Sequence, residues 1–311
     1  MRQTIRWGII GCGDVTEIKS GPAYKMTDGF ELVAVMRRNL ELAKDYAKRH
    51  DVPRYYNDAD KLIKDPEVDA VYIATPPDTH HYYAFKVAEV SKICCIEKPM
   101  APSYAECQEI QNTFEKQSLP LFVAYYRRSL PRFNKVKSLL EEHVIGDVRH
   151  VSWYLSRTAS DLDKSDTYNW RTDAKIAPAG YFDDLASHCL DLFAYLFGDF
   201  KSANGVSGNQ QKFYSAKDII SGSWGHESGV VGTGMWSFGT YKREDKVRII
   251  GSEGELSFSI FGEVPIGITV QNHHENLVIE NPKHIQQYHV ENMAKHLKSD
   301  FQHPSTGKTA V

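Results

Sequence analysis

Three stretches of this chain carry side chains that can move protons or steady charge. In ICCIEKPM, a carboxylate and an ammonium, Glu97 and Lys98, follow four residues that read as a buried strand. Charge at the tip of such a strand demands a reason, and Pro99 disfavours the helical region for Lys98, which keeps the backbone extended. In PAGYFDDLASHCLDLFAYLFG, Asp184, His188, Asp191 and Tyr195 recur at i, i+4, i+7 and i+11, on one stripe of a helix that otherwise buries Phe182, Leu185, Cys189, Leu192, Phe193 and Leu196. An imidazole has an ordinary pKa near neutrality and suits acid and base work, whereas an ammonium suits the stabilisation of developing negative charge. In IRWGIIGCGDVTEIKS, Gly11-Cys12-Gly13 followed by Thr16 is a relaxed dinucleotide fingerprint or a tight turn between a strand and a helix. Plain alternatives stand beside the other two: Lys98 as a surface lysine, and Asp184 with His188 as a solvated pair worth about a few tenths of a kcal/mol.

The elements that must position these groups are legible from hydrophobic periodicity. Ile5 to Ile10, Leu32 to Met36, Ala70 to Ala74, Ile93 to Ile96 and Leu121 to Ala124 are apolar runs without alternation, as expected of strands buried on both faces. LELAKDYAKRH, THHYYAFKVAEV and SYAECQEIQNTFEKQ lie between them with apolar residues at helical spacing. This β-α-β-α beat predicts an α/β fold whose N-terminal part is a doubly wound parallel sheet of Rossmann type. In such a sheet ligands bind outside the carboxyl ends of the strands, so Thr75, Pro76 and Pro77 in IATPPDTHH line the crevice. The second strand ends in Met36-Arg37-Arg38 with no carboxylate at its tip. A guanidinium there favours the 2′-phosphate of NADP over the bare ribose of NAD; two solvated arginines are the alternative.

Past Tyr125 the texture changes. A helix is expected around Phe133 to Glu142, then alternating segments VRHVSWYLS, SGVVGTGMWSF, KVRIIG, ELSFSIF and GITVQ, which read as an antiparallel sheet solvated or partnered on one face. Two domains are therefore expected, residues 1–124 and 125–311, without a Pro/Gly/Ser-rich linker between them. A net charge of -3 offers no basic surplus for nucleic acid, and no apolar run suits a bilayer or a signal peptide, so a cytoplasmic location is expected. The five cysteines are odd in number and lack metal-ligand spacing, which points to buried thiols and no metal site.

Taken together, these motifs resemble the glucose-fructose oxidoreductase, inositol dehydrogenase and MocA (Gfo/Idh/MocA) family over essentially the whole chain. The likeness rests on G-x-G after the first strand, ATPPDTHH, EKP, AYYRRSLPRF, GYFDDLASHCLD and IIGSEGEL, in that order. It implies a Rossmann domain joined to a C-terminal α/β domain with an open, mostly antiparallel sheet, which binds substrate and assembles subunits. It also implies that Lys98, Asp184 and His188 form the catalytic constellation, and that Gly11, Gly13, Asp14, Val15, Arg37, Arg38, Thr75, Pro76, His80 and Glu97 touch or frame the cofactor. Thr16 departs from the third small residue of the fingerprint and Ala186 from the usual glycine. The family usually runs on into a final helix beyond HPSTGKTAV, so a shortened chain is expected.

The implied activity is NADP(H)-dependent hydride transfer to or from a sugar, cyclitol or related polyol or ketone, with NAD as the alternative cofactor. A proton must then move at the substrate oxygen, which the cofactor cannot supply. His188 is assigned as the acid and base and Lys98 as the donor to the reacting oxygen, the reverse assignment staying open. Asp184 orients His188 or holds a substrate hydroxyl. Tyr126, Arg127, Trp170 and Arg171 are candidates for the sugar pocket, because rings pack on carbohydrate faces and polar groups bind hydroxyls. A glycoside-processing enzyme that recycles NAD in place, and a cofactor-binding regulator without turnover, are the competing readings. An uncovered sheet face commonly finds its partner in another subunit, so a homodimer or homotetramer through the C-terminal sheet is expected.

Overall fold

The computed structural model describes residues 4–311, which divide into two compact units, one running up to Ser129 and resuming at Pro282–Val311, the other Leu130–Asn281. The expected division at 124/125 puts everything after it in one domain; the last thirty residues cluster instead with the first unit, for a reason given below.

In the first unit the elements are β1 (Ile5–Ile10), α1 (Asp14–Ile18), α2 (Gly21–Met26), β2 (Phe30–Met36), α3 (Leu40–His50), β3 (Arg54–Tyr56), α4 (Ala59–Lys64), β4 (Ala70–Ile73), α5 (His80–Glu89), β5 (Ile93–Ile96), α6 (Tyr104–Lys116) and β6 (Leu121–Val123). The strands form one parallel sheet in the order β3-β2-β1-β4-β5-β6, so the direction of winding reverses between β1 and β4. Local chemistry starts and stops the helices. Asn39 accepts from Leu42 N at the head of α3, whose last turn holds Lys48, Arg49 and His50 against the negative end of its dipole. Ser103 and Glu106 cap α6 reciprocally: Glu106 N donates to Ser103 Oγ and Ser103 Oγ donates to Glu106 Oε2.

The second unit holds α7 (Pro131–Glu141), β7 (Val148–Arg157), α8 (Tyr181–Phe197), β8 (Phe200–Gly208), β9 (Ile219–His226), β10 (Val231–Phe238), β11 (Glu244–Gly251), β12 (Gly254–Phe258), β13 (Ile266–Val270) and β14 (His273–Leu277). Its sheet runs β14-β13-β12-β11-β7-β10-β9-β8, antiparallel except for the β7–β10 pair. Along β7, Val151, Trp153 and Leu155 are buried, and Trp153 meets Trp236 of β10 edge-on at 5.5 Å. The opposite face presents Ser152, Tyr154, Thr233, Met235, Lys246 and Arg248.

The last helix, α9 (Gln287–Lys298), explains the return of the chain. Its buried Val290, Met293, Ala294 and Leu297 complete a core built from Trp7, Tyr24, Phe30 and Tyr46. Of these, Val290, Met293 and Leu297 contribute on the order of 1.5–3 kcal/mol each when buried. Beyond α9 the chain runs beside β6, where Gly307 N donates to Leu121 O at 2.9 Å and Ser305 Oγ to Val123 O at 2.8 Å. Arg128 grips the same segment through Pro304 O and Thr309 O. All five cysteines are buried thiols, and among the described residues no helix is long and apolar enough to cross a membrane.

Candidate active site

In the first unit the candidate residues collect along the carboxyl edge of the parallel sheet. Gly11 N donates to Met36 O, Ala74 N to Ile10 O, Glu97 N to Ile73 O and Ala124 N to Ile96 O. These bonds extend the ladder one step past each strand and align the loops after β1, β4, β5 and β6. Gly11 has φ 89°, and a Cβ there would lie 2.8 Å from both Ala74 O and Thr75 Cγ2, so only glycine permits this turn. A Cβ on Gly13 would meet nothing nearer than Gly11 O at 3.9 Å, which leaves open room at the mouth of α1. The first bond of that helix is Thr16 N to Gly13 O, so the N–H groups of Asp14 and Val15 precede it. Room beside these N–H groups fits a dinucleotide pyrophosphate.

Thr16, the residue that departs from the fingerprint, is built into this turn. It is fully buried, its hydroxyl donates to Gly13 O at 2.8 Å, and Tyr46 OH donates to Thr16 O at 2.8 Å. Close packing is supplied instead by Gly21, where a Cβ would lie 2.2 Å from Thr16 O and 2.5 Å from Tyr46 OH.

Arg37 and Arg38 follow β2, Arg37 half-buried and Arg38 exposed, and among the described residues no carboxylate pairs with either guanidinium. Thr75 is half-buried and Pro76 exposed at the tip of β4. His80 is fully buried and reaches two carbonyl oxygens, Pro99 O from Nδ1 at 2.9 Å and Thr75 O from Nε2 at 2.8 Å. Burial pulls its pKa below the usual value, opposed by those carbonyls. Of touching or framing, its position suits framing, for it ties the loop after β4 to the loop after β5. Glu97 is 7% exposed and Lys98 half-buried. Tyr126 and Arg127 lie in a single turn of 3-10 helix, Tyr126–Ser129, just past β6, with the guanidinium 4.9 Å from the Tyr126 ring.

The second unit brings together Trp170, Arg171, Asp184 and His188. Trp170 and Arg171 sit in a short 3-10 turn whose Asn169 accepts from Arg171 N. Arg171 Nε donates to Asp184 Oδ2 at 2.6 Å, and its guanidinium lies over the Trp170 ring at 4.4 Å. One turn along α8, His188 is 6% exposed and meets the Phe261 ring edge-on at 6.0 Å. Burial raises the pKa of neighbouring Asp183, whose Oδ2 accepts from Ala179 N. The polar stripe divides further down: Tyr195 OH donates to Asn134 Oδ1 of α7 at 3.2 Å. Phe182, Leu185 and Leu196 are only partly covered, whereas Tyr181, Asp184, Ala186 and His188 are buried, so the covered arc of α8 is wider than the apolar stripe read from the sequence.

No role is read from the motifs for Arg132, which donates to Gly262 O and Val264 O, or for Arg157, which pairs with Asp163 at 3.0 Å and lies 4.0 Å from the Tyr181 ring. The RRSLPR run signals charge, but not that Arg128 and Arg132 are spent on backbone carbonyls.

Residues 5–125 match the oxidoreductase family with an NAD-binding Rossmann fold, and residues 133–257 match the GFO/IDH/MocA C-terminal domain. Oxidoreductase P35 of Formosa agariphila is 35% identical over 312 aligned residues, spanning 100% of this chain and 96% of that protein. Trans-1,2-dihydrobenzene-1,2-diol dehydrogenase of Sus scrofa is 26% identical over 251 residues, 80% of this chain and 72% of the relative. The crystal structure of a levoglucosan dehydrogenase in complex with NADH and levoglucosan superimposes with a TM-score of 0.78 at 23% identity, covering 92% of this chain and 83% of that one. With the glycine turn, the EKP strand tip and the Asp184–His188 helix in place, these similarities assign the chain to the Gfo/Idh/MocA family, as a dehydrogenase with an NAD(P)-binding Rossmann domain.

Proposed function

We propose that the protein is an NADP(H)-dependent oxidoreductase of a sugar, cyclitol or related polyol or ketone, working in the cytoplasm. The preference for NADP rests on one observation: the tip of β2 carries Arg37 and Arg38 and no carboxylate, and neither side chain is engaged by an acidic partner among the described residues. A guanidinium binds a 2′-phosphate through paired hydrogen bonds. The substrate class is supported by the relatives, one named for a dihydrodiol and one crystallised with levoglucosan, and by the Trp170–Arg171–Asp184 cluster, whose ring and charged groups suit a hydroxyl-rich ligand.

Nicotinamide, when bound, donates or accepts the hydride; the chain does the rest. Lys98 donates a hydrogen bond to the reacting oxygen and steadies the charge that develops there. His188 moves the proton on or off that oxygen. Asp184, held by Arg171, keeps one carboxylate oxygen fixed beside the imidazole's own helix turn. Glu97, Thr75, Pro76 and the turn from Gly11 to Val15 bind or frame the dinucleotide, and Tyr126 and Arg127 contribute to the sugar pocket. The exposed sheet face around Tyr154, Met235 and Arg248 joins subunits into a dimer or tetramer.

Calorimetry with NADP and NAD, followed by NADPH oxidation across keto-sugars and inosose-like ketones, tests this reading. NADP is expected to bind more tightly, with net NADPH consumption on at least one ketone. Equal affinity for NAD overturns the cofactor assignment, and cleavage of a glycoside without net redox change overturns the reaction.

A further inference from the structure

Two residues that no motif marks meet on one oxygen of Glu97. Tyr72 OH donates to Glu97 Oε1 at 2.5 Å and Gln286 Nε2 donates to the same atom at 2.7 Å. The second oxygen, Oε2, accepts from the backbone N–H of Lys98 at 3.2 Å. Tyr72 is fully buried, Gln286 1% exposed and Glu97 7% exposed. They come from β4, from the residue that heads α9, and from the tip of β5.

The bonds continue outward from both donors. Ser20 Oγ lies 3.3 Å from Tyr72 OH and 3.3 Å from Val15 O. Gln286 N donates to Lys19 O at 3.1 Å, and His284 Nδ1 lies 2.6 Å from Ile18 O. Through Gln286, whose side-chain amide holds Glu97 and whose backbone N–H holds Lys19 O, hydrogen bonds run from the Glu97–Lys98 tip to the foot of α1, the helix that opens at Gly13, while the single hydroxyl proton of Ser20 goes to either Tyr72 OH or Val15 O. A core of this kind gains nothing from a buried carboxylate, which needs donors to offset its desolvation. Its place outside the carboxyl end of a parallel strand, where ligands bind, supplies the reason for keeping it.

We propose that Tyr72 and Gln286 are positioning residues of the dinucleotide site, which lock the Glu97 carboxylate in one orientation and, through the Lys98 N–H, fix the point from which the Lys98 side chain departs. The chemistry of each donor supports this. Burial and the charge of Glu97 push the Tyr72 phenol well above its usual pKa, so it keeps the proton it donates. Gln286 turns its amide N–H, and not its carbonyl oxygen, to Glu97. Reversing the amide would set two oxygens against each other. The inference rests on the dinucleotide-binding reading and adds to it the segment that returns after the second unit.

Titration of the whole protein with NADPH and with NADH, followed by the fluorescence of the reduced nicotinamide, tests it alongside thermal melts. Gln286→Met and Tyr72→Phe are each expected to weaken binding of the preferred dinucleotide about tenfold, the scale of one hydrogen bond to a charged group. In a Glu97→Ala background neither change weakens binding further. Gln286→Glu sets a second carboxylate against Glu97, so its binding is weakest at alkaline pH and recovers on acidification, when the new carboxyl is protonated and donates. An unmodified protein that binds neither dinucleotide refutes the dinucleotide-binding reading itself. An unmodified protein that binds, with Gln286→Met and Tyr72→Phe binding equally well, refutes the role given to these residues. A further tenfold loss in the Glu97→Ala background, or a Gln286→Glu defect that ignores pH, refutes it too.

Discussion

Acidification should loosen the first unit through His303, by an amount that its surroundings fix. The ring is 3% exposed, its Nε2–H donates to His289 O at 3.1 Å, and its Nδ1 accepts from Ser305 N–H at 2.9 Å. Protonating Nδ1 would turn that acceptor into a second donor facing Ser305 N–H. Burial, with the nearby His296 and Arg128, accordingly lowers the His303 pKa from 6.5 to about 4. The neutral ring is the folded form, so the unfolded chain takes up its proton first as pH falls. Stability is complete above about pH 6.5 and is lost toward about pH 4, a full span of about 3 kcal/mol, of which about 2 kcal/mol is gone by about pH 5. His289, fully buried and held well below its usual range by burial, adds in the same direction. Amide exchange in denaturant, read on peptides from β6 and α9, reports this unit separately from the other. His303→Gln should be less stable at neutral pH yet flatter in pH dependence by about 2 kcal/mol between neutrality and about pH 5. A variant that keeps the parent's full pH slope would refute the reasoning.

Replacing Arg37 and Arg38 with Ala should cost NADP on the order of tenfold to a hundredfold in affinity and leave NAD nearly unchanged, as measured by calorimetry. Lys98→Met should depress turnover strongly with little effect on dinucleotide affinity, and His188→Asn should remove the pH-dependent limb carried by an imidazole; if that limb survives in His188→Asn and vanishes in Lys98→Met, their roles exchange. Arg171→Met should raise the KM for the sugar substrate and cost about 1 kcal/mol in chemical denaturation, a modest figure because the Arg171 side chain is 35% exposed. Gly21→Ala, whose Cβ would press on Thr16 O and Tyr46 OH, should cost about 1–3 kcal/mol, seen as a lower melting temperature.

The parallel sheet was readable because its strands are buried on both faces and therefore uniformly apolar, as in IRWGII and AVYI. β3, three residues long, falls below any periodicity, and β8 is exposed along nearly its whole length with a run of Ser, Ala, Asn and Gly that carries no alternation. The helix α9 shows its apolar spacing in QYHVENMAKHLK, but nothing local says which core receives it. Among site residues, the glycine turn, Lys98 and His188 announce themselves by type and position. The Arg171–Asp184 bond does not, since it depends on a loop that folds back over thirteen residues. Tyr72 reads as one more core aromatic, and Gln286 has no signal at all before β5 and the head of α9 are seen side by side.

The interrupted first unit has a consequence for how the molecule is made. Its sheet is encoded before Ser129, yet the helix covering Trp7, Tyr24 and Phe30 is encoded after Asn281. On the ribosome that apolar face waits uncovered while more than a hundred intervening residues are synthesised, enough for the inserted unit to fold first. Nascent chains halted before Pro282 should therefore be the ones that recruit holdase chaperones, and synthesis of α9 should release them.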